Sequence, residues 1–107
     1  MSSSKRVAIV TGAAMGIGRG IAQRLAKDGY DLGLFDLPQN QGQLEELAAS
    51  FEKEFGTRVV KVTGSVAVED DVKKLVETVV QELGSLYAVR FAAGNAIVYD
   101  RTDLQLF

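Results

Sequence analysis

A chain of 107 residues with 47% hydrophobic and 24% charged residues has the size and composition of one globular domain, which excludes a disordered or fibrous protein. The net charge of −2 comes with no basic cluster beyond Lys5 and Arg6, so we expect no nucleic-acid or membrane partner. The apolar run at residues 7–10 is too short for a signal-peptide core or a membrane span, and we expect a cytoplasmic protein.

Two residue types, cysteine and histidine, are missing from the sequence, and each absence excludes certain catalytic groups and metal ligands. Without cysteine, the chain has no disulfide, no thiolate nucleophile and no thiolate metal ligand. Without histidine, it has no imidazole base and no Ser-His-Asp triad. We therefore predict no metal site, and the expected ligand is a small molecule.

Apolar runs alternate with amphipathic helical stripes along the chain. Strands are predicted at residues 6–10, 31–37, 58–62 and 86–92. Helices are predicted between them, and they end at Gly29, Gly56 and Gly84. This alternation implies right-handed crossovers and an α/β fold. We predict a Rossmann-type parallel sheet of about four strands in the order 3-2-1-4, with three helices.

A glycine-rich turn, Thr-Gly-Ala-Ala-Met-Gly-Ile-Gly, joins the first strand to the first helix at residues 11–18. Glycine allows a sharp turn at Gly12, close approach of the main chain to a phosphate near Gly16, and tight helix packing at Gly18. The helix N-terminus adds unpaired N–H donors and a partial positive charge. The turn therefore predicts a site for a dinucleotide pyrophosphate, and the alternative is a plain tight loop.

Asp36 ends the second predicted strand, 18 residues after Gly18. An acid at a separation of about 20 residues binds the adenosine ribose in dinucleotide-binding folds. Its carboxylate accepts hydrogen bonds from the ribose hydroxyls and repels an added 2′-phosphate, and Met15 offers no cation to hold that phosphate. We therefore predict that NAD is preferred over NADP. The alternative is that Asp36 only caps the end of the strand.

The spacing Thr-Gly-x-x-x-Gly-x-Gly resembles that of the short-chain dehydrogenase/reductase family. The similarity includes the opening of the third helix at residues 68–72 and Gly84-Ser85-Leu86 before the fourth strand. It implies hydride transfer between a nicotinamide cofactor and an alcohol or carbonyl group, with fungal-type acetoin or polyol dehydrogenases the most similar. The turn and the resemblance together indicate cofactor contacts at Thr11, Gly12, Met15, Gly16, Ile17, Gly18, Asp36, Ser65, Val66, Ala92, Ala93 and Gly94.

The sequence departs from the family pattern after the third and fourth strands. The family places an aspartate that meets adenine where this chain has Ser65, whose hydroxyl could bind adenine without the charge. The family's Asn-Asn-Ala-Gly becomes Phe-Ala-Ala-Gly at residues 91–94, so the asparagine that braces the sheet is absent. Arg90 conflicts with a buried strand, because an unpaired buried charge is costly. Either this side chain extends to solvent at the open edge, or the fourth strand is poorly ordered.

The family's catalytic Ser and Tyr-x-x-x-Lys motif is also missing from this chain. The residues four positions after Tyr30, Tyr87 and Tyr99 are Leu34, Phe91 and Asp103. No tyrosine therefore has the lysine one helical turn away that assists proton transfer in the family. We predict no catalytic residue in this chain, and a small alcohol or carbonyl substrate only for a longer form of the protein.

We divide the chain into a polar tail at residues 1–5, an NAD-binding Rossmann half at 6–96 and an irregular end of a truncated chain at 97–107. The main hypothesis is the NAD(P)-binding portion of a short-chain oxidoreductase. One alternative is a catalytically inactive NAD-binding or regulatory module that docks a related enzyme through the edge of its fourth strand. Another is a non-functional truncated product. Substrate and oligomerisation with related chains stay open.

Overall fold

The computed structural model describes residues 7–84, together with the backbone of residues 88–90 and 98–100. Its elements are β1 (Val7–Thr11), α1 (Gly16–Lys27), β2 (Asp31–Asp36), a 3-10 turn (Pro38–Asn40), α2 (Gln41–Phe55), β3 (Val59–Thr63), α3 (Glu69–Leu83), β4 (Ala88–Arg90) and β5 (Val98–Asp100). The alternation of strands and helices confirms the predicted α/β fold. No helix in the part of the chain described here is long and apolar enough to cross a bilayer.

The first three strands form a parallel sheet with β2 at its centre. Thr11 pairs with Phe35 and Asp36 pairs with Thr63, so the three strands end at one common edge. Every residue of β1 and β2 is buried, as expected for strands covered on both faces, whereas exposure alternates along β3 at the side of the sheet. The predicted order 3-2-1 is confirmed for these strands.

Helices cover both faces of this sheet and divide the core in two. On one face, α1 and α2 pack against buried side chains that include Ala8, Val10, Leu32 and Leu34. On the other, α3 packs against Val7, Ile9, Phe35, Val60 and Val62. Gly33 allows the close approach of α3, because a Cβ at this position would lie 2.5 Å from Cγ2 of Val79.

The fourth strand differs from its prediction. β4 lies beside β1, the place that the order 3-2-1-4 predicts, but it pairs antiparallel with β5 in a separate two-stranded sheet, with Arg90 opposite Val98. The prediction that the fourth strand joins the parallel sheet is therefore wrong. A partner a few residues along the chain forms an antiparallel pair at a low cost in loop-closure entropy. β5 itself lies in the segment predicted to be irregular, residues 97–107.

Candidate functional site

The glycine turn has the tight backbone that its sequence predicts. Gly12 and Gly16 both have φ of 63°, in the left-handed region that favours glycine. Gly18 is buried beneath the turn, and a Cβ there would lie 2.1 Å from the carbonyl oxygen of Gly12. Any larger residue at position 18 would separate the turn from α1. The backbone of the turn is therefore held directly against the start of this helix.

The N-terminus of α1 is suited to an anion. The helix has no side-chain cap and no acidic residue in its first turn, whereas the first turn of α3 contains Glu69, Asp70 and Asp71. The partial positive charge of α1 is therefore left without a nearby carboxylate in its own first turn. A Cβ at Gly16 would meet nothing within 4 Å, so the space beside the helix end is open. This arrangement fits a phosphate group.

Asp36 connects the end of β2 to the glycine turn. Asp36 is nearly buried, with 9% of the residue exposed. Oδ2 accepts a hydrogen bond of 2.9 Å from the N–H of Ala14, 22 residues away in sequence. Oδ1 accepts bonds from the N–H of Leu37 at 2.7 Å and from Nδ2 of Asn40 at 2.9 Å. The bond to Leu37 is a local cap of the strand end, but the bond to Ala14 places the carboxylate at the turn.

The segment after β3 contributes Ser65 and Val66 to the same edge. The N–H of Ser65 donates to Oδ2 of Asp71 at 2.9 Å, and Oγ of Ser65 accepts from the N–H of Ala67 at 3.1 Å. The Ser65 hydroxyl donates its own proton to no residue in the described ranges. Val66 is 53% exposed. Asp71 thus fixes the loop that presents a hydroxyl and an apolar side chain at the strand ends.

Exposed apolar side chains gather at this edge of the sheet. The large hydrophobic residues that are exposed in the described part of the chain all lie in or beside the segments that follow β1, β2 and β3. They are Met15, Ile17, Leu37, Val66 and Val68. Exposed apolar surface concentrated in one region marks a binding surface, and open α/β sheets bind ligands at the carboxyl ends of their strands.

Other predicted site residues lie elsewhere. Thr11 is only 1% exposed, and its Oγ1 has no hydrogen-bond partner among residues 7–84. It therefore lies beneath the turn rather than on the open surface. Ala92, Ala93 and Gly94 lie outside the described residues. Sequence reasoning missed Asn40, although an asparagine directly before a helical stripe is a visible signal of an N-cap.

A groove of about 320 Å³ lies between α1 and α2, away from most of the predicted site. Its lining residues are Ala14, Arg19, Gln43, Glu46, Leu47 and Ser50. Only Ala14 belongs to the glycine turn, so this groove borders the strand-end surface without coinciding with it. No group of three or more acidic side chains within the described ranges is placed to hold a metal ion.

A parallel sheet that presents a glycine turn, an open helix N-terminus and a strand-end carboxylate at one edge defines a Rossmann-type dinucleotide-binding unit. Comparison with known proteins makes this assignment specific. The family model for short chain dehydrogenases matches residues 6–106. The chain belongs to the short-chain dehydrogenase/reductase family, as the resemblance of the turn implies.

Relatives from fungi and bacteria show the extent of the match. A short-chain dehydrogenase/reductase from Armillaria gallica is 41% identical over 96 residues, which cover 90% of this chain and 36% of the relative. A diacetyl reductase [(S)-acetoin forming] from Staphylococcus epidermidis is 41% identical over 81 residues, 76% of this chain and 30% of that enzyme. The chain thus spans about a third of the length of these relatives.

Solved structures match the same region. L-sorbose reductase from Gluconobacter frateurii, in complex with NADPH and L-sorbose, gives a TM-score of 0.77 at 35% identity, with 86% of this chain and 34% of that chain covered. A family member from Burkholderia phymatum, in complex with NAD, gives a TM-score of 0.72 at 27% identity over 79% of this chain and 29% of the other. Both of these neighbours were solved with a nicotinamide dinucleotide bound.

Proposed function

We propose that this chain is the cofactor-binding portion of an oxidoreductase and that it prefers NAD over NADP. The observation that carries the proposal is the Asp36 carboxylate, which is bonded at 2.9 Å to the N–H of Ala14 in the glycine turn. A carboxylate in this position accepts a hydrogen bond from the adenosine ribose, and the neighbouring helix end accepts the pyrophosphate.

The residues of this edge fit the separate parts of such a cofactor. The main chain from Gly16 to Gly18 would hold the pyrophosphate, and Asp36 would hold the adenosine ribose. The exposed side chains of Leu37 and Val66 offer apolar surface to the adenine ring. When bound, the cofactor supplies or accepts a hydride at its nicotinamide ring. The protein supplies the position and the surrounding charge.

The preference for NAD rests on charge. A 2′-phosphate adds about −1.5 to −2 charges at neutral pH, by analogy with other phosphate monoesters. Asp36 is 9% exposed, so water and salt screen its charge less than that of a surface carboxylate. Met15, in the turn, brings no compensating cation. Repulsion between the carboxylate and the phosphate therefore disfavours NADP.

The test is a calorimetric titration of the purified chain with NAD and with NADP. We expect Asp36→Ala to weaken NAD binding by about tenfold to a hundredfold, since hydrogen bonds to a charged group contribute about 1.5–3 kcal/mol. NADP binding should weaken less or improve, because repulsion is relieved. Asp28→Ala is the matched control, since this carboxylate pairs with Arg24 on the exposed surface and its loss should leave both affinities unchanged.

Asp36→Ala also removes the bonds to Ala14, Leu37 and Asn40, so the melting temperature must be measured beside the affinities. Asp36→Asn keeps an acceptor oxygen and the shape of the side chain while it removes the charge. If both variants weaken NAD and NADP equally, Asp36 is a structural residue and the proposed preference is wrong.

We further propose that a longer protein with the family's Tyr-x-x-x-Lys motif transfers hydride to or from a small hydroxyketone or polyol. Support comes from the activities of two similar proteins, the acetoin-forming diacetyl reductase and the L-sorbose reductase. The 107 residues alone should not catalyse this reaction, because none of their tyrosines has a lysine four positions later. NADH absorbance with diacetyl and with acetoin, for both forms, tests this proposal, and turnover by the 107 residues would contradict it.

A further inference from the structure

Asn40 occupies the N-cap position of α2 but does not cap the helix. A capping asparagine accepts a hydrogen bond from the first turn of the helix and contributes about 1 kcal/mol. Here the side chain makes no such bond, and Nδ2 instead donates to Oδ1 of Asp36 at 2.9 Å. Only the amide nitrogen can donate to a carboxylate, so this contact also fixes the orientation of the amide.

The backbone holds Asn40 in place for this contact. Pro38 begins the 3-10 turn, and the N–H of Asn40 donates to the carbonyl oxygen of Leu37 at 2.9 Å. The turn returns the chain toward Asp36 immediately after β2 ends. Local geometry therefore directs the side chain of Asn40 to the carboxylate. Because of this contact, the side chain does not cap α2.

The hydrogen bonds to Asp36 are distributed unequally over its two oxygens. An ionised carboxylate has about four acceptor positions, two on each oxygen. Oδ1 accepts from Leu37 and Asn40, so both of its positions are filled. Oδ2 accepts from Ala14, which leaves one position among the described residues. The carboxylate can therefore receive a single further donor, and that donor must approach Oδ2.

We propose that Asn40 is a positioning residue that sets cofactor specificity through Asp36. By occupying Oδ1, it makes Asp36 present Oδ2 alone, to one hydroxyl of the adenosine ribose. It also prevents the carboxylate from rotating away from a 2′-phosphate. This inference rests on the proposed NAD-binding function. Without Asn40, the carboxylate rotates more freely. NAD binding is then weaker because the acceptor is no longer preoriented, and the repulsion that disfavours NADP is smaller.

The experiment compares Asn40→Ala with Asn40→Ser in the purified chain. Serine restores a capping group to α2 but is too short to take the place of the amide at Asp36. We expect the ratio of the NADP and NAD dissociation constants to fall by about tenfold in both variants, from loss of one charge-assisted hydrogen bond. Asn40→Ser should keep the melting temperature of the unsubstituted chain. Gln39→Ala, an exposed neighbour in the same 3-10 turn, is the control and should leave the ratio unchanged.

A double-mutant cycle tests whether the effect passes through Asp36. In an Asp36→Ala background, Asn40→Ala should no longer change the ratio of the two dissociation constants. Equal weakening of NAD and NADP by Asn40→Ala, or an unchanged effect in that background, would show that Asn40 is merely structural. Absence of NAD, NADP and ADP-ribose binding to the unsubstituted chain would overturn the proposed function itself. Binding with an unaltered ratio in both Asn40 variants would overturn this inference alone.

Discussion

At Gly18 the glycine turn leaves no room for a side chain. The carbonyl oxygen of Gly12 occupies the space that a side chain would need, and this atom belongs to the backbone, which cannot move aside as a flexible side chain can. The same closeness brings the turn to the helix end that would receive a phosphate. We therefore expect both stability and ligand binding to depend on the absence of a side chain at this position.

We expect Gly18→Ala to reduce the free energy of unfolding by about 1–3 kcal/mol, the usual cost of overpacking, and to weaken NAD binding. Gly20→Ala is the matched control, since a Cβ there meets nothing within 4 Å. Alanine at this site in α1 should stabilise the chain by about 0.5–1 kcal/mol without altering NAD affinity. Denaturant unfolding and calorimetric titration measure the two effects. A Gly18→Ala chain that is as stable as the unsubstituted one would contradict the packing argument.

For the residues of the candidate site, the sequence predicts their positions better than it predicts their hydrogen-bond partners. Asp36 can be found from its spacing after Gly18, but its bond to Ala14 depends on the register of β1 and β2, which no local pattern encodes. From the sequence alone, Asn40 would be interpreted as a helix cap, because only the folded chain brings the Asp36 carboxylate to its side chain. The hydrogen bonds of Ser65 with Asp71 and Ala67 likewise depend on the folded shape of the loop, which the periodicity of the sequence does not predict.

At the level of elements, the central strand and α3 approach each other closely. Gly33 lies in the middle of β2, and a Cβ there would lie 2.5 Å from Cγ2 of Val79 and 3.3 Å from Cγ1 of Ile9. Val79 is a residue of α3 and is fully buried in the core between this helix and the sheet. The distance between the sheet and this helix is therefore set by the absence of a side chain at one position.

We expect Gly33→Ala to reduce the free energy of unfolding by about 1–3 kcal/mol, because α3 must move or Val79 must leave its preferred rotamer. Val79→Ala alone should also destabilise, by creating a cavity. Together the two substitutions should cost less than the sum of their separate effects, since each relieves the other. Urea unfolding of the single and double variants measures this coupling. Strict additivity would show that the two sites do not contact each other.

The predicted elements follow the hydrophobic pattern closely where burial decides the structure. The apolar runs of β1, β2 and β3 are bounded within one residue of their predictions, since each run is covered by helices whose own stripes are clear. β4 is the exception. The hydrophobic pattern does not specify the partner of a strand, and Ala88–Arg90 pairs with Val98–Asp100 rather than joining the parallel sheet.

For the molecule as a whole, the two edges of the parallel sheet differ in chemistry. At the start of the strands, Asp31 is fully buried and accepts bonds from the N–H and Nε of Arg58 at 2.9 and 3.1 Å. The guanidinium also donates to the carbonyl oxygen of Leu83 at 3.4 Å. This edge therefore joins β2, β3 and the end of α3. The opposite edge exposes apolar side chains and an open helix end.

A ligand that contacts the exposed edge should stabilise the whole unit, because the segments after all three strands contribute to its site. By linkage, NAD at a hundred times its dissociation constant should add about 2.7 kcal/mol to the free energy of unfolding. For a domain near 100 residues this corresponds to a rise of roughly 10–20 °C in the melting temperature. Scanning calorimetry with NAD, and with NADP at the same concentration, measures the shift.

The size of that shift tests the proposed site, in which the parts of the cofactor contact different segments. NADP should raise the melting temperature less than NAD does. Asp36→Ala should remove this difference, and a smaller rise in melting temperature should remain because the pyrophosphate still binds at α1. Inorganic pyrophosphate alone should then stabilise the unsubstituted chain and the Asp36→Ala chain equally. Equal shifts with NAD and NADP in the unsubstituted chain would mean that the strand-end carboxylate does not face the ribose, and binding would have to be assigned to the helix end alone.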